Sequence, residues 1–152
     1  MLNGFAENGY GPISSDYLRA GYKEDDFELT SIVVEEKRVI GTVRVNRFFS
    51  PMDGEFHLSS AMGTIWIQQF AVIYAFHDSG VTVKDREVYL REFSMKCRSR
   101  IVNLENIPLE LAVTSRGERG GRIFYRAEYD IDAGGFVGRI CWFMDARPQA
   151  QA

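Results

Sequence analysis

With 152 residues, 45% of them hydrophobic and 26% charged, the chain has enough apolar side chain for one domain with a core of its own, and it is not a disordered tail. A formal net charge of -3 and an isoelectric point near 5.4 argue against broad electrostatic binding to nucleic acid or anionic lipid, so the expected partners are small molecules or proteins. The two cysteines, Cys97 and Cys141, lie in apolar strand-like stretches without CxxC or Cys/His spacing, which indicates buried free thiols and no metal site. No secretory leader is recognisable, and the expected location is the reducing cytoplasm.

The opening MLNGFAENGYGPIS, rich in Gly, Asn and Ser, reads as an arm over residues 1–13 of a single domain spanning 1–152. A short helix is expected over 14–20, capped by Ser14 or Ser15 and stopped by Gly21. Residues 27–35 (FELTSIVVE) and 38–47 (RVIGTVRVNR) are β-branched runs on either side of Glu36 and Lys37, a hairpin pattern. Pro51 and Gly54 then break the pattern, and residues 57–77 form an almost uninterrupted apolar run, long enough for about five helical turns. After a polar stretch over 78–86 the period changes to two. Residues 88–102, 107–115, 122–132 and 136–145 read as four strands, with turns at 103–106, in RGERGG (116–121) and at Gly134-Gly135, and a frayed tail over 146–152.

The long run decides the architecture. Its apolar residues occur all round the helical wheel, with Ala61, Ile65, Val72 and Phe76 on one side and Trp66, Phe70, Ile73 and Tyr74 on others, so the helix should be enclosed. A membrane span needs roughly 20 apolar residues, and Ser59, Ser60, Thr64, Gln68 and Gln69 argue against one. Two strands, one buried helix and a four-strand meander fit an α+β hotdog fold, a curved antiparallel sheet wrapped around a long central helix. A cystatin-like or nuclear-transport-factor-like cone is the competitor.

From His57, the segment HLSSAMGTIWIQQFAV resembles the start of the central helix in the FcoT-like family, the type III fatty acyl-CoA thioesterases, and LRAGYK resembles that family's segment ahead of its first strand. The resemblance implies a hotdog thioesterase, with Gln68 where the family has a functional Asn and Tyr22 near its upstream active-site Tyr. It also places Val72 and Pro51 where the family has two further tyrosines.

The residues themselves suggest how a thioester could be handled. Ser59 and Ser60 open the helix, where free backbone N–H groups and the positive dipole end favour a developing oxyanion; capping the helix is their structural alternative. Gln68 and Gln69 are amides in apolar surroundings, and Gln68 could position the attacking water or the carbonyl, while Gln69 reads more as a structural residue. His57 can accept a proton from water, with Glu55 or Asp53 to orient it or act in its place. Trp66 and Val72, with Met62 and Phe70, could line an acyl channel. Arg98 and Arg100, together with Lys96, could receive coenzyme A phosphates or the acidic surface of an acyl carrier protein, as could Arg116, Arg119 and Arg122 at the turn.

Three readings follow. The chain hydrolyses fatty acyl or related thioesters of coenzyme A or acyl carrier protein, in lipid or secondary-metabolite biosynthesis; or it is a 3-hydroxyacyl-thioester dehydratase or isomerase; or it binds acyl thioesters without turnover. No cofactor is expected beyond the coenzyme A or phosphopantetheine of the substrate, and a homodimer or dimer of dimers is expected.

Overall fold

The computed structural model describes residue 12 and residues 14–147, so the expected arm and tail fall largely outside the described residues. Ahead of the sheet, Ser15 caps a single helical turn, α1 (Asp16–Arg19), by accepting the Leu18 N–H. Gly21 does not simply stop this helix. It opens a 3-10 turn (Gly21–Glu24) pressed against Phe49, and a Cβ there would come within 2.6 Å of the Phe49 ring.

The first hairpin pairs β1 (Asp26–Glu35) with β2 (Arg38–Arg47), and Glu35 lies opposite Arg38 across Glu36 and Lys37. On β2, Val39, Val43 and Val45 are buried while Arg38, Thr42 and Arg44 face outward, the period of two that a one-faced strand requires. The long helix α2 (Ser60–Asp78) follows, and β3 (Val88–Cys97), β4 (Ile107–Arg119), β5 (Arg122–Ile131) and β6 (Phe136–Asp145) complete the chain. The six strands form one antiparallel sheet in the order β1-β2-β4-β5-β6-β3. Thus β3, the first strand after the helix, crosses to the far edge, and β4 returns to pair with β2.

The core lies between the helix and the inner rows of the sheet. Met62, Trp66, Ile67, Phe70, Ala71 and Tyr74 are buried against Val39, Leu111, Ile131, Ile140 and Trp142. Burying each large apolar side chain contributes roughly 1.5–3 kcal/mol before chain entropy is counted. Gly63 permits the close approach of helix to sheet, since a Cβ there would lie 3.2–3.3 Å from Met95, Ile131 and Phe136. At the other end of the helix, the Tyr74 hydroxyl donates to the Glu36 carbonyl at 2.7 Å and fastens α2 to the β1–β2 turn.

Four expectations are corrected. Among the described residues the helix is covered by the sheet on one flank: Ile65, 38% exposed, and Gln69 face away from it, because one curved sheet reaches only one flank of a helix. The strand expected over 88–102 ends at Cys97, where the N–H groups of Arg98 and Ser99 both turn to the Gly135 carbonyl. Residues 116–119 continue β4, and only Gly120 and Gly121, at φ 59° and 73°, make the turn, as a two-residue hairpin loop with positive φ requires. Neither cysteine is fully buried: Cys97 ends an edge strand and is exposed, and Cys141 points to the outer face of β6 and is half-buried. None of the described helices is long and apolar enough to cross a membrane.

Candidate active site

The amino end of α2 is held from three directions. The Leu58 N–H donates to the Ile101 carbonyl at 2.8 Å, which fixes the approach to the helix. Ser59 then adopts the extended backbone of an N-cap, and its Oγ accepts the Met62 N–H at 3.1 Å. With the Ser59 carbonyl taking the Gly63 N–H, the amides of Ser60 and Ala61 are left without an intrahelical acceptor. Donors and dipole therefore favour negative charge at this end.

A cavity of about 750 Å³ opens beside Ser59. One wall comes from α1 and its flanks, the other from the loop between β2 and α2. Phe48, Phe49, Phe56 and Pro51 make its apolar lining, and Tyr17, Asp25, His57 and Ser59 its polar one. The Phe48 and Phe56 rings contact each other with centroids 5.2 Å apart.

Inside this cavity three side chains form a chain of hydrogen bonds. The Tyr17 hydroxyl donates to Asp25 Oδ2 at 2.7 Å and lies 2.7 Å from Ser59 Oγ. With the phenol's single proton committed to the carboxylate, the Ser59 hydroxyl is the donor in the second bond. Asp25 Oδ1 accepts the Phe49 N–H at 2.8 Å, so one carboxylate ties α1 to the loop that carries the aromatic lining. Burial, and secondarily Asp25, push the Tyr17 phenol up to about 12 although the Ser59 bond opposes this, so Tyr17 is protonated at neutral pH.

The expected site residues are placed as follows. His57 and Ser59 both line the cavity, and His57 is exposed. Ser60 is exposed beside it, with its carbonyl accepting the Thr64 hydroxyl at 2.7 Å. Glu55 is exposed and does not line the cavity; its N–H donates to Asp53 Oδ1 at 3.1 Å. That bond first, and then the Arg100 guanidinium 3.2 Å away, hold the Asp53 carboxyl below its ordinary range. Arg100 is therefore engaged near the loop that forms the cavity wall rather than standing free for a phosphate. Arg98 borders an outer groove of the sheet where Lys96 and Arg139 are balanced by Glu110, Glu128 and Asp130.

Farther along the helix the expected residues diverge from the cavity. Gln68 is half-buried and Gln69 exposed, and neither lines it. Gln68 is nine residues past the cap, about 13 Å along the axis. Val72 is half-buried another turn away, and Trp66 is fully buried against Phe27, its indole N–H having no partner among the described residues. Tyr22 sits in the 3-10 turn with the Lys23 ammonium 5.9 Å from its ring centroid. The phenol that reaches the helix cap is Tyr17, five residues earlier. Tyr17 and Asp25 have no sequence signal of their own, since a Tyr and an Asp eight positions apart meet only when α1 folds back over the start of β1.

No protein-family model matches the chain, and no curated protein matches its sequence significantly. Solved structures do match. The chain is similar to yhdA of Lactococcus lactis, provisionally called a thioesterase, with a TM-score of 0.57, 9% identity and coverage of 82% of this chain and 94% of that one. A thioesterase family protein from Silicibacter pomeroyi matches with a TM-score of 0.52, 11% identity and coverage of 95% and 98%. A mutant thioesterase from Pseudomonas aeruginosa matches with a TM-score of 0.50, 8% identity and coverage of 97% and 92%. The fold is the hotdog fold. Within it the candidate site lies where the central helix begins, at the junction of α1, β1 and the β2–α2 loop.

Proposed function

We propose that this chain hydrolyses acyl thioesters, with the reacting carbonyl at the amino end of α2. The observation that carries the reading is the cavity itself, an aromatic-lined space whose polar groups converge on a helix start with spare amide donors. As a thioester carbonyl is attacked, its oxygen gains negative charge, and the N–H groups of Ser60 and Ala61 are the donors at hand; one such donor is worth about 10²-fold or more in rate. Phe48, Phe49 and Phe56 offer an apolar surface for the acyl group. His57, on the same wall, takes the proton from the water that ends as the second oxygen of the acid product.

The hotdog neighbours called thioesterases, and the resemblance of HLSSAMGTIWIQQFAV to the FcoT-like helix, support this reading. The substrates of that reading are fatty acyl thioesters of coenzyme A or of acyl carrier protein, met in the cytoplasm. Gln68, half-buried on the helix and outside the cavity lining, has no part in this reading.

Release of free thiol from a series of acyl-coenzyme A and carrier-bound substrates tests the proposal. Wild-type protein should turn over at least one of them, and His57→Gln should slow it by about 10²-fold or more. If no thiol is released from any member, or if His57→Gln turns over as fast as wild type, this assignment is wrong.

A further inference from the structure

We infer that Ser59 is a nucleophile, activated through Tyr17 by Asp25, so that the acyl group passes first to the serine and only then to water. The inference rests on the proposed thioester chemistry for its substrate but not for its geometry. A hydroxyl nucleophile needs a proton acceptor within hydrogen-bond reach and a third group that orients the acceptor. Tyr17 Oη is 2.7 Å from Ser59 Oγ, Asp25 Oδ2 is 2.7 Å beyond, and the Phe49 N–H holds the other carboxylate oxygen at 2.8 Å. All three side chains line the cavity.

A helix cap alone does not require this arrangement. The Met62 N–H already satisfies the capping role of Ser59 Oγ, and the bond to Tyr17 is additional. The carboxylate behind the phenol is held by the Phe49 N–H through its other oxygen, which fixes it in place to orient Tyr17. The residue after Ser59 contributes a free amide to the carbonyl that Ser59 would attack, the same relation that joins nucleophile and oxyanion donor at other helix starts.

In the first step Ser59 Oγ bonds to the thioester carbon. Its proton moves to Tyr17 Oη as the Tyr17 proton moves to Asp25, so no free tyrosinate forms. Collapse of the tetrahedral adduct breaks the carbon–sulfur bond, and the thiolate recovers the proton from Asp25 through Tyr17. In the second step water attacks the serine ester and gives a proton to His57. The departing Ser59 Oγ is reprotonated from that imidazolium, directly or through solvent, leaving the free acid and the resting serine.

The test mixes the full chain in excess with octanoyl-coenzyme A, quenches within the first turnover and maps the product by mass spectrometry, with diisopropyl fluorophosphate as an independent probe of serine nucleophilicity. One octanoyl group on Ser59 is expected. Ser59→Asn, which keeps an N-cap and so guards against simple unfolding, should form no adduct and lose about 10²-fold or more in turnover. Tyr17→Phe should slow acylation about tenfold or more. Asp25→Asn, at a positioning residue, should lower kcat with KM unchanged. Thiol release without an adduct, or undiminished in Ser59→Asn, overturns the nucleophile and leaves the thioesterase reading intact. Labelling of Ser59 by the fluorophosphate, lost in Tyr17→Phe, in a protein that cleaves no thioester, upholds the nucleophile and removes the thioesterase reading. Absence of both cleavage and labelling overturns both.

Discussion

Tyr17 shows how one side chain links local folding to the chemistry of the site. Its phenol is caught between Ser59 and Asp25, and burial raises its ionisation to about 12 from an ordinary 10.0. Burial also pushes up the phenols of Tyr125, Tyr129 and Tyr74. For each, the protonated form is favoured in the fold. Below about pH 10 both folded and unfolded chains keep these protons and stability does not depend on them. Above it the unfolded chain loses its protons first, so the stabilisation is progressively lost as pH rises through the folded values. Burial also pushes up the Cys141 thiol, so urea unfolding should give a level midpoint from neutral pH to about 8, a slight fall through the thiol's ordinary range and a steeper one beyond about 10. Tyr17→Phe should make the fall between about 10 and 12 shallower, and a midpoint that stays level through pH 11 in the wild type would contradict the burial of these phenols.

At the scale of elements, an edge junction is also tightly specified. β3 reaches the sheet only through β6, and Met95 pairs opposite Gly138. A Cβ on Gly138 would lie 1.9 Å from the Ser94 carbonyl oxygen and 2.6 Å from the Tyr129 hydroxyl, which itself donates to that carbonyl at 2.6 Å. Backbone on one side and a hydrogen-bonded phenol on the other leave no room for a methyl group. Gly138→Ala should cost roughly 3 kcal/mol, at the upper end of overpacking penalties. Hydrogen exchange should show β3 amides losing protection before those of β4 and β5; uniform protection across the sheet would mean that the strands can shift to admit the methyl group.

For the whole molecule, the sheet ends among the described residues in two edge strands, β1 and β3, and Ile65 and Gln69 on one flank of the helix are exposed. Among the described residues β3 pairs with one strand, β6, and Leu90 on it is 44% exposed. We propose that two copies of the chain pair, as the resemblance to hotdog thioesterases implies. Light scattering should then give twice the 17.3 kDa chain mass, and a monomer at micromolar concentration would refute the pairing.

The strand and helix plan was legible from the chain because its signals are local. Alternation along Val39, Val43 and Val45 or Ile123, Tyr125 and Ala127 marks an inner face within a few residues, and the apolar run after His57 admits one long helix. Ser59 and His57 were legible for the same reason, since a cap and its neighbour are read directly beside the element they open. What only the tertiary structure decided is which distant groups meet. Nothing in the spacing of Tyr17, Asp25 and Ser59 brings the Tyr17 hydroxyl to 2.7 Å from each of the other two, and nothing around Gln68 tells that it does not line the cavity they share. Periodicity constrains only what lies within a turn or a strand, whereas a site is assembled by chain reversals whose cost and reward come from packing.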